Sequence, residues 1–434
     1  MALAVGRTSV MQYKNTKKTI PEIGKELNVE NILEGSIFKA GNRIRVTAQL
    51  INVSSGAHFW ADDYERKLDD IFNIQDDISE KIASNLLATL SPKDKKEIKT
   101  NRPSNTNAYE YYMKGRYFYL TKYFYSFKME DLSTAERMFK TAIRLDPNYA
   151  DSYASLADLY NLYYDILPDT ASEKKKYMQL QESYIDTAYQ LEPNSAEVNY
   201  AKGCIYNSKN EDEDAFNSFK TAIKLNQNKN NYYREIGFFL GNKGCTKLSI
   251  QCYNKAIDLN PLASHYYFER GMSYIELYES DKAENDFKKG IELNPKSPSI
   301  ILYWLLLTMM QRNDEADSLL TQMENNLSDQ ELEFPHAIQY AIKGQKEKAL
   351  NTLKSKFWSS RVLLYTILGM DNEAISVLSE MTEQFKKTND SRYQTLKNSA
   401  IFNDLRSDPR FQEILAKHKE LYEENLRKYG DIDF

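Results

Sequence analysis

A repeat of 34 residues constrains the fold of this chain more than any other feature of its sequence. Leucine recurs at this spacing at Leu191, Leu225, Leu259 and Leu293. The other columns keep the same step, at Ala188, Ala222, Ala256 and Gly290, at Phe219, Tyr253 and Phe287, at Gly203, Gly237 and Gly271, and at Pro193, Gln227, Pro261 and Pro295. A fixed period of this length is the sequence signature of a repeat architecture.

Each repeat is predicted to form two helices joined by a polar turn. The apolar residues within a repeat follow a helical period over segments of about 12 to 14 residues, which are too long for buried strands. The turns consist of polar residues and glycine, as at 241–244. A proline then ends the second helix, because its ring and missing N–H group interrupt the hydrogen-bond ladder. One such hairpin cannot bury its own apolar face, so the hairpins must stack.

Three in-phase segments closely resemble the tetratricopeptide repeat (TPR) family: Tyr-Arg-Glu-Ile-Gly at 233–237, Cys-Tyr-Asn-Lys-Ala-Ile-Asp-Leu-Asn-Pro at 252–261, and Phe-Lys-Lys-Gly-Ile-Glu-Leu-Asn-Pro at 287–295. The resemblance implies a mainly α fold, a right-handed α-solenoid of roughly eight helical hairpins. We expect the repeats over residues 107–400 and a capping helix over 401–434. Between Pro147 and Pro193 the spacing grows to 46 residues, so this repeat must have longer helices or a looped-out insertion.

Residues 1–92 do not follow the repeat and are predicted to form a small α/β domain. Alternating apolar residues predict three strands, at 32–38, 43–53 and 58–65, connected by short turns into an antiparallel meander. Helices are expected at 20–27 and 71–90. The segments Leu33-Glu34-Gly35-Ser36, 41–51, 56–61, 64–66 and 70–76 resemble the TolB/FlgO type of amino-terminal domain, which precedes TPR repeats in bacterial proteins, some of them adenylate cyclase fusions. Relatives carry a further strand and helix before the part that resembles 5–9, so the domain is expected to be partial. A polar linker is expected at 93–106.

Composition and side-chain spacing argue against several classes of function. The net charge of −5 gives no general reason to bind a polyanion, so no nucleic-acid partner is expected. The three cysteines and four histidines stand at no metal spacing, and no phosphate-binding loop is present. We therefore expect no catalytic residues, no metal and no cofactor, and interpret the acidic residues 62–70 as a solvated face. With no signal peptide or membrane span in the sequence, the expected location is the cytoplasm.

By resemblance, the inner surface of a TPR stack is lined by the first helix of each hairpin. The candidate peptide-binding residues on that face are Tyr200, Cys204, Asn207, Asn231, Arg234, Phe238, Asn242, His265, Phe268 and Met272. Arg234, Phe238 and Phe268 are the expected anchors. The Lys/Asn clamp of chaperone-binding relatives is not reproduced, because Arg234 and Phe238 occupy its positions.

The leading hypothesis is a non-enzymatic scaffold that binds a partner protein or peptide in the TPR groove. A second is the regulatory half of a larger bacterial signalling protein, of adenylate cyclase or transcriptional-regulator type. RNA binding would require a basic groove, which the candidate residues do not supply. The aromatic run at 109–127 is interpreted as core packing, with partner binding as its alternative.

Overall fold

The computed structural model describes residues 10, 13, 16–67, 70–85, 103–167, 172–354 and 358–431. The chain divides into two compact units, residues 4–205 and residues 206–434, and each is described by itself. The residues that resemble the start of the TolB/FlgO domain, 5–9, and most of the expected linker at 93–106 lie outside the described residues.

The sheet of the first unit is the predicted antiparallel meander. Its strands are β1 (Asn31–Ala40), β2 (Arg43–Asn52) and β3 (His58–Lys67), and β2 lies in the centre. The two turns pass through Gly41 and Gly56, whose φ angles of 59° and 66° are adopted by glycine without strain. Helices α1 (Ile20–Leu27) and α2 (Ile71–Asn85) flank the sheet, and the predicted helix at 71–90 is described as far as residue 85.

Helix α2 covers only part of the sheet. The small core between them consists of Ile44, Val46, Tyr64 and Ile74. The strand register places Leu33 and Ile37 of β1 on the same face as this core, opposite Leu50 and Val46. Leu33 and Ile37 nevertheless remain 48% and 69% exposed. The edge strand β1 therefore presents apolar side chains to solvent.

Four helices complete most of the first unit: α3 (Thr106–Tyr117), α4 (Met129–Leu145), α5 (Ala150–Ile166) and α6 (Ser172–Leu191). Helix α3 starts after Asn105, whose side chain accepts hydrogen bonds from the N–H groups of residues 107 and 108. It continues through a π-helical turn, Phe118–Tyr123, and a last short turn, Phe124–Ser126. The long spacing between the two prolines is taken up by helix length, since α5 and α6 have 17 and 20 residues.

The aromatic run of α3 is mostly a packing element. Tyr112 and Tyr119 are buried in a core that includes Leu132, Phe139 and Tyr160. Tyr109 also contacts Phe72 of α2, with ring centroids 5.4 Å apart in an edge-on arrangement. The buried members agree with the packing interpretation, whereas Tyr125 and Phe127 at the end of the run are exposed.

Helix α7 (Ala196–Ser208) contains the division between the units. The second unit then follows in chain order as α8 (Asp212–Leu225), α9 (Asn230–Asn242), α10 (Thr246–Leu259), α11 (Ser264–Glu276), α12 (Ser280–Leu293), α13 (Ile300–Met309), α14 (Asn313–Glu324), α15 (Asp329–Ile342), α16 (Lys346–Thr352), α17 (Trp358–Ile367), α18 (Asp371–Thr388), α19 (Tyr393–Asn398) and α20 (Pro409–Tyr429). Over the described residues, eight successive helix pairs run from α3 to α18, the number that the resemblance implied. The mainly helical fold class is confirmed.

The repeat glycines mark places where two helices approach closely. A Cβ atom on Gly237 of α9 would lie 3.1 Å from the Cβ of Cys252 in α10. A Cβ atom on Gly271 of α11 would lie 2.5 Å from a ring carbon of Phe287 in α12. The second distance is too short for a real Cβ contact, so the aromatic column fills the space that the glycine column leaves.

The last helix, α20, packs on two distant parts of the second unit. At its start, Phe411 and Ile414 join the core formed with α18. Towards its end, the Asn425 amide donates to the carbonyl of Lys243 at 3.0 Å. The ring of Tyr429 lies 5.0 Å from that of Phe216, between centroids. The predicted capping helix therefore also contacts the turn between α9 and α10.

Candidate functional site

The candidate groove residues of the second unit lie on two neighbouring first helices, α9 and α11. Equivalent positions differ by 34, which pairs Phe238 with Met272 and Arg234 with Phe268. The two helices pack on each other, and the Tyr266 hydroxyl of α11 donates to the side chain of Asn230 in α9 at 2.9 Å. We call this surface, made of residues 231–242 and 265–276, the α9–α11 face.

Two apolar side chains of the α9–α11 face are open to solvent. Phe238 is 43% exposed and Met272 is 37% exposed. Because they hold the same position in consecutive repeats, they form a short apolar row along the face. The guanidinium of Arg234 lies 5.9 Å from the ring centroid of Phe238 and borders this row.

Phe268 is not a surface residue, so its prediction as an anchor is wrong. Its ring is 1% exposed and stacks on Phe287, with centroids 6.0 Å apart. Gly290 lies directly against this ring, since a Cβ atom there would come within 2.8 Å of it. The small residue at position 290 thus makes room for Phe268 in the core.

The candidate residues on α7 also differ from one another in their exposure to solvent. Tyr200 and Cys204 belong to the first unit and are buried, so neither presents a surface for a partner. Asn207 follows the division and is partly exposed. Of the three candidates on α7, only Asn207 is therefore partly open to solvent.

Arg234 is held by two carboxylates on the face. Its Nε and one terminal nitrogen donate to both oxygens of Glu269 at 2.7–3.2 Å, which is the bidentate geometry that arginine favours. Its other terminal nitrogen donates to Glu235. All three side chains are largely buried, with 17–21% of their surface exposed. The predicted anchor is thus already engaged in an ion-pair network.

Burial shifts the pKa values of Glu269 and of two neighbouring side chains, His265 and Glu276. It raises the pKa of Glu269, although Arg234 opposes the shift. Burial and the nearby Arg234 charge lower the pKa of His265 to about 3, so this histidine is neutral at physiological pH. Burial also raises the pKa of Glu276, which accepts from the Thr246 hydroxyl at 3.0 Å and lies 3.9 Å from Arg392.

Two asparagines of the face have opposite environments. Asn231 is 7% exposed, and its side-chain nitrogen has no hydrogen-bond acceptor within the described part of the chain. Asn242 lies at the end of α9, where its side chain accepts from Arg392 at 2.9 Å. Asn242 is therefore used within the fold, whereas the Asn231 amide has an unused donor.

No second candidate site arises among the described residues from possible metal ligands, from the acidic residues 62–70 or from membrane-spanning helices. Within the described ranges, no three His, Cys, Asp or Glu side chains are grouped as they would be around a metal ion. Glu65 of the acidic stretch pairs with Arg43 and Arg45, and residue 69 lies outside the described residues. None of the helices in those ranges has both the length and the apolar character of a membrane span.

Sequence reasoning missed Glu235 and Glu269 as members of the face. They stand 34 residues apart, each directly after a candidate residue, and this spacing was the available signal. A face of a helix is wider than one row of side chains, so positions next to the row also border it.

Comparison with known proteins identifies the repeats. The family model for the tetratricopeptide repeat matches residues 196–229 and 264–297, which together contain α7, α8, α11 and α12. The chain therefore contains tetratricopeptide repeats, as the resemblance predicted. The structure of PilF from Pseudomonas aeruginosa is similar with 14% identity and a TM-score of 0.37, covering 62% of this chain and 99% of that one. YrrB, described as a TPR protein with an unusual peptide-binding site, is similar with 19% identity and a TM-score of 0.32, covering 43% and 91%.

One curated relative is a signalling enzyme by name. The protein called "Putative adenylate cyclase 3" from Rhizobium meliloti (strain 1021) is 30% identical over 188 residues, which are 42% of this chain. The match covers 31% of the relative, so the chain spans about a third of that protein's length.

Proposed function

We propose that this TPR-containing chain is a non-enzymatic scaffold that binds a protein or peptide partner on the α9–α11 face. The observation that carries the proposal is the exposed apolar row of Phe238 and Met272 on two adjacent first helices. Large apolar side chains gain most from desolvation by a partner, and a few such anchors supply most of the energy of an interface. Arg234 acts in this proposal as the polar border of the row.

The test compares variants of the row with a matched surface variant. Phe238→Ala and Met272→Ala are expected to weaken capture of the partner, each truncation costing about 1–2 kcal/mol or more of binding free energy. Met309→Ala is the control, because Met309 is also 43% exposed but lies at the end of α13. A partner is first isolated by pull-down with the whole chain, and its affinity is then measured by calorimetry for each variant. Equal affinity for all three variants would place the binding site elsewhere, with the exposed end of the aromatic run, Tyr125 and Phe127, as the next candidate.

A second function is favoured by the adenylate cyclase relative. We propose as the alternative that the chain is the regulatory part of a larger bacterial signalling protein, whose catalytic or DNA-binding domain lies outside this chain. The TolB/FlgO resemblance of the segments between residues 33 and 76 supports the same alternative, because such domains occur in cyclase fusions. Reading the gene upstream of Met1 in the source genome decides between the two. An upstream catalytic or DNA-binding domain in frame supports the regulatory function, and a stop codon in frame excludes it.

The proposed compartment is the cytoplasm. Cys204, Cys245 and Cys252 are buried thiols, as is usual for a protein kept in a reducing environment. Fractionation of cells that express the tagged chain tests this proposal, and recovery of the chain from a periplasmic or extracellular fraction would contradict it.

A further inference from the structure

The α9–α11 face holds one more negative charge than its cations neutralise. Glu235 and Glu269 share the single guanidinium of Arg234. At the far end of the face, Glu276 has Arg392 within 3.9 Å. The neutral His265 adds no positive charge. Arg270, which also lies on α11, pairs with Asp286. Among the described residues on or beside the face, four carboxylates therefore meet three guanidinium groups.

This excess charge lies where water screens it poorly. The side chains of Glu235 and Glu269 are 19% and 21% exposed. A charge held in such a place costs free energy unless a counter-charge reaches it, because the protein interior solvates ions less well than water. The raised pKa of Glu269 reflects the same cost. The face is thus prepared for one additional cation.

Asn231 supplies a second and independent indication of a ligand. Its side chain is more than nine-tenths buried and its amide nitrogen lacks an acceptor among the described residues. Side chains of a helix lie over the turn that precedes their own Cα atom, so Arg234 and Glu235 extend over the turn that carries Asn231. The unused donor therefore belongs to the turn of α9 that Arg234 and Glu235 cover, and a carbonyl oxygen of a bound chain that reaches this turn would satisfy it.

We propose that the α9–α11 face binds an extended peptide segment in which a lysine or arginine is flanked by apolar residues. The basic side chain pairs with Glu235 and Glu269, a peptide carbonyl accepts from Asn231, and the apolar side chains pack on Phe238 and Met272. This inference rests on the proposed function and specifies the chemistry of its partner. It also reverses the charge preference of a carboxylate clamp, which would bind an acidic chain end.

The probes are synthetic heptapeptides that differ at one position. The first is acetyl-Ser-Leu-Ser-Lys-Ser-Leu-Ser-amide with a fluorescent label, which in extended form places Leu, Lys and Leu on one side. Two controls carry norleucine or glutamate in place of the lysine. Fluorescence anisotropy measures their affinities for the whole chain. The lysine peptide is expected to bind about tenfold more tightly than the norleucine peptide, because its ammonium group donates a charge-assisted hydrogen bond that norleucine cannot form. The glutamate peptide is expected to bind more weakly than both, because its carboxylate carries the same charge as those of the face.

Variants locate the preference on the face. Glu235→Gln is expected to reduce the ratio between lysine and norleucine peptides about tenfold, and Asn231→Ala to weaken both peptides equally. Glu380→Gln is the matched control for charge, since its side chain is 64% exposed on α18. Melting curves confirm that each variant is folded.

The outcomes separate this inference from the proposed function. If the lysine and norleucine peptides bind equally and Phe238→Ala weakens the binding of both, the face binds peptides but the inference is overturned. A lysine preference that Glu235→Gln does not change also overturns it, as does failure of all three peptides to bind. The proposed function fails on a different result, namely unchanged capture of the natural partner by Phe238→Ala and Met272→Ala.

Discussion

Two consecutive repeats, α9–α10 and α11–α12, follow the same 34-residue pattern but are held together differently. In α11–α12 the contacts are local, with Gly271 against Phe287, Phe268 against Gly290, and Arg270 paired with Asp286. In α9–α10 the glycine contact is looser, and the turn after α9 is bound by residues from the last helices of the chain. There the buried Lys243 pairs with Asp212 and Asp390, and its backbone carbonyl accepts from Asn425.

The difference between these two repeats shows which contacts of a repeat protein are determined by the period of its sequence. The contacts of α11–α12 involve residues of one repeat, so the in-phase columns specify them. The contacts around Lys243 join residues up to 182 positions apart, which a period of 34 residues cannot specify. Local packing is thus a property of the pattern, whereas this long-range polar contact depends on residues far away in the chain.

Loss of Lys243 is expected to have the largest effect on stability. The Lys243 side chain is 3% exposed, and Lys243→Met leaves the carboxylates of Asp212 and Asp390, whose side chains are 11% and 18% exposed, without their cation. Removing one partner of a buried ion pair typically lowers the free energy of unfolding by about 3–5 kcal/mol. Chemical denaturation followed by circular dichroism measures the change.

Lys288→Met is the matched control for this prediction. Lys288 lies in α12 and pairs with Glu284, but its side chain is 57% exposed. A surface pair of this kind contributes about 0–1 kcal/mol, so the control is expected to unfold near the wild-type midpoint. Equal midpoints for both variants would show that the α9–α10 turn is not held by this ion pair.

The next effect concerns pH and acts through His418. His418 is fully buried, and its Nδ1 accepts from the backbone N–H of Arg392, next to the residues that bind the α9–α10 turn. Burial and the Arg392 charge lower the pKa of His418 to about 4. A histidine whose pKa is lowered by folding contributes stability that is complete above its unfolded pKa of about 6.5 and is lost as pH falls towards 4.

The expected loss over this interval is about 3 kcal/mol from this one residue. It is measured as the urea midpoint between pH 7 and pH 4 for the wild type and for His418→Gln, which cannot gain the proton. The wild type is expected to lose more stability than the variant over that interval. If the urea midpoints of the two proteins fall equally between pH 7 and pH 4, His418 is not the cause of the loss of stability.

A smaller effect distinguishes the glycines of the two repeats. A methyl group on Gly271 meets the buried Phe287 ring at 2.5 Å, whereas one on Gly237 meets Cys252 at 3.1 Å. Overpacking of this kind costs about 1–3 kcal/mol, so Gly271→Ala is expected to melt at a lower temperature than Gly237→Ala. The larger change Gly237→Leu is expected to be destabilising as well. If the two alanine variants melt together, the two repeats do not differ in packing as their distances indicate.

The sequence predicted the repeating architecture, the meander and the glycine contacts, because each depends on residues that are close in sequence or in phase. It did not predict that Phe268 faces the core. The rows 234–238–242 and 268–272–276 hold equivalent positions in consecutive repeats, so the sequence assigns them to the same face. The Phe268 ring nevertheless packs against Gly290, whose missing side chain leaves room for it in the core. It also missed the ion pair of Arg234 with Glu269, since a pair across two repeats leaves no local pattern.

The smallest expected effect on stability belongs to Phe238→Ala, which carries the most information on function. Phe238 is 43% exposed, so its truncation is expected to change the free energy of unfolding by less than about 0.5 kcal/mol. Phe268→Ala, at the position equivalent to Arg234 in the next repeat, removes a buried ring and is expected to cost about 3–5 kcal/mol. Thermal melts of both variants, combined with their affinities for the captured partner, separate a surface role from a core role. If Phe238→Ala retains its melting temperature but loses affinity, the aromatic ring serves the partner rather than the fold. If it melts early, the ring supports the packing of α9, and the apolar row is part of the structure instead of a binding surface.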